Sequence, residues 1–314
     1  MGKALNSHLQ LLRQAKVSWI WPIYVPSYSR AGSATLLDTF AKAPASVQRR
    51  VHIMVRREER EAYEQAYPWA KVRTHRGPYG VGPARAAILR DAEQRGHERI
   101  VMMDDDVTHL SLMERITRPD GTQHTRRWSE KLADQATQVH LPHSLAVACR
   151  MADRVFELQP DAAYGSARQG LFSGDVDTSV GAFMDKGGFP ACVIFFDMAR
   201  FSWRECPEPY RLHGEDLSMF LHTLTEGKGA FVIPSVAYDT NTRLDSTIPL
   251  DPLDERGRQD DLDAAAEVYP QVAHYLRATM RNKAGGIMKI GVHWPQWYRE
   301  TELQPTIIPM QELI

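Results

Sequence analysis

The chain has 314 residues, of which 43% are hydrophobic and 25% are charged, and its formal net charge is −1. This is the composition of an ordinary globular protein with enough residues for a full core, and no apolar run approaches the roughly 20 residues of a membrane span. The near-zero charge excludes a polycation, so any binding to nucleic acid must come from local basic patches.

Strands alternate with helices through the first hundred residues. Apolar runs predict buried strands over 20–25, 51–55 and 99–103, with a short strand over "AKVRTHR". Helical spacing predicts helices over "SATLLDTFAKA" with Ser33 as N-cap, over "EEREAYEQAYP" as far as Pro68, and over "ARAAILRDAEQRG" as far as Gly96. This alternation predicts an α/β fold with a mainly parallel sheet and helices on both faces.

The second half of the chain is less regular. "RITRPDGTQHTRRW" is a polar insertion with a turn at Asp120 and Gly121, and "YGSARQGLFSGDVDTSVGAFMDKGG" predicts a long loop or an irregular hairpin. Further elements are predicted as a helix over "LPHSLAVACRMADRVFEL", a strand over "ACVIFFDMARF", a helix from Glu215 to Gly227 and a strand over "AFVIPSVAY". We expect one domain over 1–314, with a regular half (20–110), an irregular half (111–240) and a C-terminal extension (241–314).

Three adjacent carboxylates, Asp104, Asp105 and Asp106, follow the apolar strand "RIVMM" directly. In an extended backbone Asp104 and Asp106 point the same way, and such a pair of oxygen ligands suits Mg²⁺ or Mn²⁺. The alternative is a solvated strand end that caps the next helix. The loops 26–30 and 56–58 are predicted at the same sheet edge, where α/β proteins bind their ligands, and this favours the metal.

Four motifs occur in one order: a Pro-Ser-x-x-Arg loop after the first strand, then "GPARAAIL", "VMMDDDV" and "GEDLSMF". Over roughly residues 20 to 235 this order resembles the GT-A-fold glycosyltransferases of the family-2 kind. The resemblance implies that Asp104 and Asp106 hold Mn²⁺ or Mg²⁺, which bridges the diphosphate of a nucleotide sugar. It also implies that the regular half binds the donor and the irregular half binds the acceptor.

The same resemblance implies roles for other residues. Asp216 would be the general base, supported by Glu215, in an inverting reaction. The resemblance also makes His293 a candidate third metal ligand, with a simply packed side chain as the alternative. Arg56 stands where the family often has a carboxylate that touches the nucleobase. Residues expected to bind the donor are Pro26, Ser27, Arg30, Arg56, Arg85, Asp104 and Asp105. Arg85, in the glycine-rich junction "GVGPARAA", can aim at phosphate, or it can be an exposed helix arginine.

Within that fold the chain most resembles the phage-type TET-associated glycosyltransferases, which implies sugar transfer to 5-hydroxymethylcytosine in double-stranded DNA. Arginines next to an aromatic residue suit phosphate contacts and base stacking. The residues expected to bind the acceptor DNA are Arg73, Arg76, Arg118, Arg126, Arg127 and Trp128. The alternative for these residues is a solvated arginine-rich surface.

The predicted reaction moves a sugar, glucose from UDP-glucose, to a hydroxyl group. Two alternatives stay open: a glycosyltransferase with a polysaccharide, lipid or small-molecule acceptor, and an inactive nucleotide-binding module. The three cysteines contain no C-x-x-C pair, so we expect no disulfide framework and a cytoplasmic protein without a membrane partner, in the host cytoplasm if a phage encodes it.

Overall fold

The computed structural model describes residues 15–77, 80–117, 120–127, 140–169, 180–184, 191–204, 215–240, 259–281, 287–301 and 306–313. Its strands are β1 (Ile23–Pro26), β2 (Val51–Arg56), β3 (Lys71–His75), β4 (Arg99–Met103), β5 (Val107–Thr117), β6 (Gln123–Arg127), β7 (Ala162–Gln169), β8 (Val180–Met184), β9 (Val193–Asp197), β10 (Gly229–Thr240), β11 (Leu276–Arg281), β12 (Ile287–Val292) and β13 (Ile307–Pro309). Its helices are α1 (Thr35–Ala41), α2 (Ala45–Gln48), α3 (Arg60–Ala66), α4 (Val81–Gln94), α5 (His140–Leu158), α6 (Glu215–Thr225), α7 (Gln259–Val268), α8 (Pro270–Ala273), α9 (Trp294–Thr301) and α10 (Met310–Leu313).

One large sheet organises the described residues, in the strand order β13-β8-β10-β7-β9-β4-β1-β2-β3. The neighbours β1 and β2, β1 and β4, β2 and β3, and β7 and β10 are parallel. β9 is antiparallel to β4 and β7, and β8 is antiparallel to β10 and β13. The predicted α/β class is therefore confirmed, with a parallel part formed by β4, β1, β2 and β3, and the C-terminal segment adds β13 to the same sheet.

The strands bury side chains on both faces of the sheet, because successive residues of a strand point to opposite sides. In β1, Ile23 and Val25 belong to one apolar cluster together with residues of α1 and α5, whereas Tyr24 belongs to a second cluster with residues of α4 and α6. Helices thus cover both faces, as predicted. The carboxyl ends of β1 to β4 meet at one edge, and the loops that follow them build the candidate site.

Several local predictions were wrong. α1 begins at Thr35, with Ala34 in the N-cap position and no side-chain cap, so Ser33 does not cap it. β1 begins after Pro22, which has no N–H to donate to a neighbouring strand. The glycine-rich segment was expected as a loop or hairpin, but β7 and β8 lie on either side of β10.

The carboxylate triplet is followed by a strand and not by a helix. β5 starts at Val107, pairs with β10, and then forms an antiparallel hairpin with β6 around the predicted turn at Gly121, where φ is +83°. The alternative that the triplet caps a following helix is therefore excluded. From the sequence, this segment is predicted only as a polar insertion with a turn, so the hairpin is a finding of the structure.

Candidate functional site

The three carboxylates lie in a tight turn between β4 and β5, so the strand alternation expected for Asp104 and Asp106 does not apply. The N–H of Val107 donates to the carbonyl of Asp104 at 3.2 Å and closes the turn. On either side, the N–H of Asp104 donates to the carbonyl of Cys192 at 2.8 Å, and the N–H of Leu36 donates to the carbonyl of Asp105 at 3.1 Å. The turn itself and two other segments of the chain therefore fix the backbone of the triplet.

Asp105 is the buried member of the triplet, with 7% of its surface exposed. Its carboxylate accepts hydrogen bonds from the Ser27 hydroxyl and from Nη1 of Arg30, both at 2.5 Å. The Tyr63 hydroxyl lies 2.7 Å from the Ser27 hydroxyl and accepts the N–H of Arg30 at 3.0 Å. Ser27 and Arg30, expected to contact the donor, thus hold the loop after β1 against Asp105.

Arg85 links two carboxylates that come from different parts of the chain. Its Nη2 donates to both oxygens of Asp104, at 2.9 and 3.1 Å, and its Nη1 donates to Asp216 at the start of α6. Arg85 is only 2% exposed, so the alternative of an exposed helix arginine is wrong. The predicted metal ligand Asp104 and the predicted base Asp216 therefore both accept hydrogen bonds from the guanidinium of Arg85.

Asp106 has a different environment from its neighbours. Burial raises its pKa to about 6, and the charges of Asp104 and Asp105 act in the same direction. The charge of Arg30 and a hydrogen bond from its own backbone oppose this rise in pKa. A half-buried carboxylate that is repelled by two others is a group that a cation would stabilise.

Cys192 and Tyr238 support the triplet from β9 and β10, and sequence reasoning missed both. Cys192 has a φ of +56°, uncommon for a residue with a side chain, and this conformation directs its carbonyl to Asp104. Burial raises the pKa of the Cys192 thiol and of Tyr238, whose hydroxyl hydrogen-bonds to that thiol. An isolated cysteine and tyrosine in apolar strands carry no sequence signal for this role.

Other predicted residues lie at the same edge without reaching the triplet. Pro26 is the buried last residue of β1. Arg56, at the end of β2, pairs with Glu58, and its Nη1 donates to the carbonyl of Gly77 at 2.9 Å. Arg56 thus ties the glycine-rich loop to β2, a role that its position relative to the family pattern did not suggest.

The predicted DNA-binding residues fall into two groups. Arg73 and Arg76 line a cleft of about 790 Å³ beside β3. Arg126 and Arg127 lie on β6, where their backbones pair with Glu114 and Met113, but their side chains are outside the described part. Arg118, Trp128 and the side chain of Glu215 also lie outside the described residues.

Metal ligation was predicted for Asp104, Asp106 and His293. Among the described residues, no group of three or more His, Cys, Asp or Glu side chains is arranged to hold a metal ion. His293 is exposed and follows β12, with its N–H donating to the carbonyl of Tyr275 at 2.7 Å. The carboxylate oxygens of Asp104 and Asp106 are of the kind that Mg²⁺ and Mn²⁺ prefer, and metal binding by these two residues and by His293 stays a prediction.

Two further predictions concern cysteines and membranes. Cys149 and Cys192 are free thiols in the described part of the chain. None of the helices that the structure describes combines the length and hydrophobicity that a membrane span requires.

The fold and the site together define an α/β protein with a cluster of carboxylates at the carboxyl ends of its parallel strands, the edge where such proteins bind ligands. Residues 21–178 match the family model of the TET-associated glycosyltransferases, which is half of the chain and includes Arg85 and the triplet. The chain belongs to this family and is a glycosyltransferase, which implies a nucleotide-sugar donor and an acceptor. A comparison with curated proteins found no match.

Solved structures of similar fold are distant in sequence. GalNAc-T7 with UDP, GalNAc and Mn²⁺ is 8% identical, with a TM-score of 0.42 over 70% of this chain and 43% of that one. TarS of S. aureus is 15% identical, with a TM-score of 0.37 over 70% and 36%. A putative nucleotide-diphospho-sugar transferase from Desulfovibrio desulfuricans G20 is 9% identical, with a TM-score of 0.36 over 80% and 98%.

Proposed function

We propose that this glycosyltransferase moves glucose from UDP-glucose to the hydroxyl of 5-hydroxymethylcytosine in phage DNA, with inversion. The observation that carries the proposal is the contact of Arg85 with both Asp104 and Asp216. Beside them lies Asp106, whose pKa is raised by burial and by the neighbouring carboxylates. A diphosphate-binding group and a proton acceptor would then lie on opposite sides of one arginine.

The donor is proposed to bind where the triplet faces the loops after β1 and β2. Asp104 and Asp106 would hold Mn²⁺ or Mg²⁺, which prefer carboxylate oxygens completed by substrate phosphates. When bound, the ion supplies positive charge that neutralises the departing diphosphate. Arg85 adds a second positive charge in a buried position, where electrostatic stabilisation is strong. Arg56, at the end of β2, is proposed to lie near the nucleobase.

Asp216 is proposed as the general base, with Glu215 in support. It would take the proton of the acceptor hydroxyl while that oxygen bonds to the anomeric carbon of the sugar. The bond from the same carbon to the diphosphate oxygen breaks, and UDP leaves with the electron pair. A single displacement of this kind inverts the anomeric centre, and one base is sufficient for it.

The acceptor is proposed to be DNA on the basis of family membership and of the arginines beside the site. A base inside a duplex must be turned out of the stack before its hydroxymethyl group can reach the sugar. Residues 20–110 would bind the donor and 111–240 the acceptor, with Arg73, Arg76, Arg118, Arg126, Arg127 and Trp128 contacting DNA. We propose a cytoplasmic reaction, in the host where a phage encodes the protein.

The test is a mass measurement on hydroxymethylated duplex DNA incubated with the protein, Mn²⁺ and a panel of nucleotide sugars. A mass gain of one hexose with UDP-glucose, absent on unmodified cytosine, is expected. The variant Asp216→Asn should lose transfer and still bind UDP with Mn²⁺. Transfer only to a polysaccharide, lipid or small molecule would replace the DNA acceptor, and binding of UDP-sugars without any turnover would indicate an inactive module.

A further inference from the structure

A second charged feature lies outside the carboxylate site. The cleft of about 790 Å³ lies between β3, the last strand of the sheet, and the outer side of α4. Asp91 is the single carboxylate among the residues that line this cleft. Five arginines line it: Arg60, Arg73, Arg76, Arg90 and Arg95. In a chain with a net charge of −1, this is a strong local concentration of positive charge.

These arginines are only partly neutralised. Asp91 accepts a hydrogen bond from Arg95 at 2.7 Å and lies 3.9 Å from Arg73. Arg60 pairs with Glu64 on the exposed surface, where such a pair contributes little. Among the residues that the structure describes, Arg76 and Arg90 have no carboxylate partner, and Arg90 lies over the ring of Trp203 at 5.9 Å.

Positive charge in and near the cleft also lowers the pKa of neighbouring basic groups. The pKa of Lys71, at the start of β3, is lowered by partial burial and then by the charges of Arg73, Arg95 and Arg50. The pKa of His75 is lowered by burial and by the charge of Arg56. Mutual repulsion of this kind is relieved when an anion binds.

The shape of the cleft favours a long anion over a single phosphate. Its lining on α4 extends from Pro83 to Arg95, a helix length of about 18 Å at 1.5 Å per residue. Each DNA strand carries a phosphate about every 3.4 Å along the duplex axis, so this length spans several phosphates. Arginine forks bind phosphate with two parallel hydrogen bonds, which lysine cannot do.

The position of the cleft relates it to the carboxylate site without overlap. Arg85 lies on the buried side of α4, whereas Ala87 and Arg90 face the cleft. One end of the cleft reaches Gly77, whose carbonyl accepts the hydrogen bond from Arg56 at the carboxyl edge of the sheet. A strand lying in the cleft would therefore pass next to the edge that carries the triplet.

We propose that this cleft binds the sugar-phosphate backbone of the DNA that carries the acceptor base. The proposal rests on the proposed function and adds Arg60, Arg90 and Arg95 to the residues expected from the sequence. It assigns α4 two roles, with the donor on its buried side and the acceptor backbone on its outer side. The contacts are to phosphate, so the cleft contributes affinity and orientation but no base preference.

The test compares the double variant Arg76→Ala/Arg90→Ala with the control Arg49→Ala/Arg299→Ala. All four side chains are exposed, and Arg49 lies just before the start of β2, whereas Arg56 at the other end of β2 contacts Gly77 of the cleft. Binding of a fluorescent hydroxymethylated duplex is measured by anisotropy over a series of salt concentrations. The cleft variant should bind roughly tenfold more weakly, with the slope of log K against log salt reduced by about 2, whereas the control stays at the wild-type value.

The other outcomes distinguish a failure of the inference from a failure of the proposed function. Wild-type DNA affinity and salt slope in the cleft variant overturn the inference, while sugar transfer to DNA by the wild type would leave the proposed function standing. Loss of UDP binding, measured by calorimetry with Mn²⁺, would make the cleft part of the donor site and also overturn the inference. If the wild type binds DNA through the cleft but transfers no sugar to it, the cleft is a DNA-binding site, and the proposed acceptor fails together with the cleft's assigned part in holding it.

Discussion

Asp104 and Asp216 share one cation, the guanidinium of Arg85, although they lie in the turn after β4 and at the start of α6. Arg85 is almost completely buried, so both contacts are made with little competition from water. This arrangement couples the predicted diphosphate side of the site to the predicted acceptor side. A substitution of Arg85 should therefore disturb both Asp104 and Asp216.

The first prediction concerns Arg85. Arg85→Met would leave Asp104 and Asp216 without their cation, and removal of one partner from a buried ion pair costs about 3 kcal/mol or more of folding stability. Arg85→Lys keeps the charge but cannot donate to both carboxylates in the same planar geometry, so stability should recover more than sugar transfer does. Denaturant unfolding and transfer assays on the two variants check this; equal loss of both properties in Arg85→Lys would contradict it.

The second prediction concerns how the protonation of Asp106 changes the free energy of unfolding of the protein with pH. Its pKa in the folded state is about 6, above the usual 3.8, so the folded protein binds the proton more tightly than the unfolded chain. The stabilisation is complete below about pH 4 and is lost as the pH rises through 6. In chelator at pH 7.5, Asp106→Asn should therefore be more stable than the wild type by on the order of 1 kcal/mol, and at pH 4 the difference should vanish.

Manganese should reverse that order. The groups that face Asp106 are Asp104, Asp105 and Arg30, and a divalent cation would offset the repulsion between the carboxylates. Mn²⁺ should raise the unfolding free energy of the wild type and of the control Asp161→Asn, an exposed carboxylate at the start of β7. A similar gain in Asp106→Asn would show that Asp106 does not contribute to metal binding.

The third prediction is a loss of stability in acid that comes from His52. Burial lowers its pKa to about 3, with Lys71, Arg73 and His97 acting in the same direction and Asp91 against them. The unfolded chain protonates this histidine below about pH 6.5 and the folded protein does not, so stability falls as the pH falls from 6.5 towards 3.

This loss amounts to about 2 kcal/mol at pH 5 for one such histidine. The replacement His52→Phe keeps a flat ring to stack on Tyr24, whose ring centroid lies 4.7 Å away. Urea unfolding at pH 7 and pH 5 should show a smaller drop for the variant than for the wild type. An equal drop would assign the acid sensitivity to another group, such as His97, whose pKa is also lowered.

The fourth prediction tests the packing of β7 against β10. A Cβ atom on Gly165 would lie 2.4 Å from the ring of Phe231, closer than any packed pair of atoms. Gly165→Ala should therefore lower the unfolding free energy by about 1–3 kcal/mol through overpacking. The double variant Gly165→Ala/Phe231→Leu removes the ring and should recover part of the loss; an additive loss would mean that the clash is not with Phe231.

Much of the structure of residues 20–110 was predictable because its signals are local. β2 and β4 carry apolar runs, Gly96 with a φ of +67° follows the end of α4 at Gln94, and the carboxyl ends of successive parallel strands must meet at one edge. The contact between Ser27, Arg30 and Asp105 follows from that convergence, although the sequence did not show that Asp105 would be the buried member of the triplet. The β5–β6 hairpin was missed, although its pairing is local, because β6 ("QHTRR") contains no apolar residue and so gives no strand signal.

The sequence alone determined which chemistry is available: three carboxylates after an apolar strand, a Glu-Asp pair, and an arginine at a glycine-rich helix start. Only the tertiary structure decided how these charges are distributed, because the energy of a buried charge depends on the partners that distant segments bring to it. Arg85 therefore contacts both Asp104 and Asp216, Asp105 is buried against Ser27 and Arg30, and Asp106 has a raised pKa beside two other carboxylates. The arginines of β3 and α4 likewise form a single cleft only because a strand and a helix lie side by side.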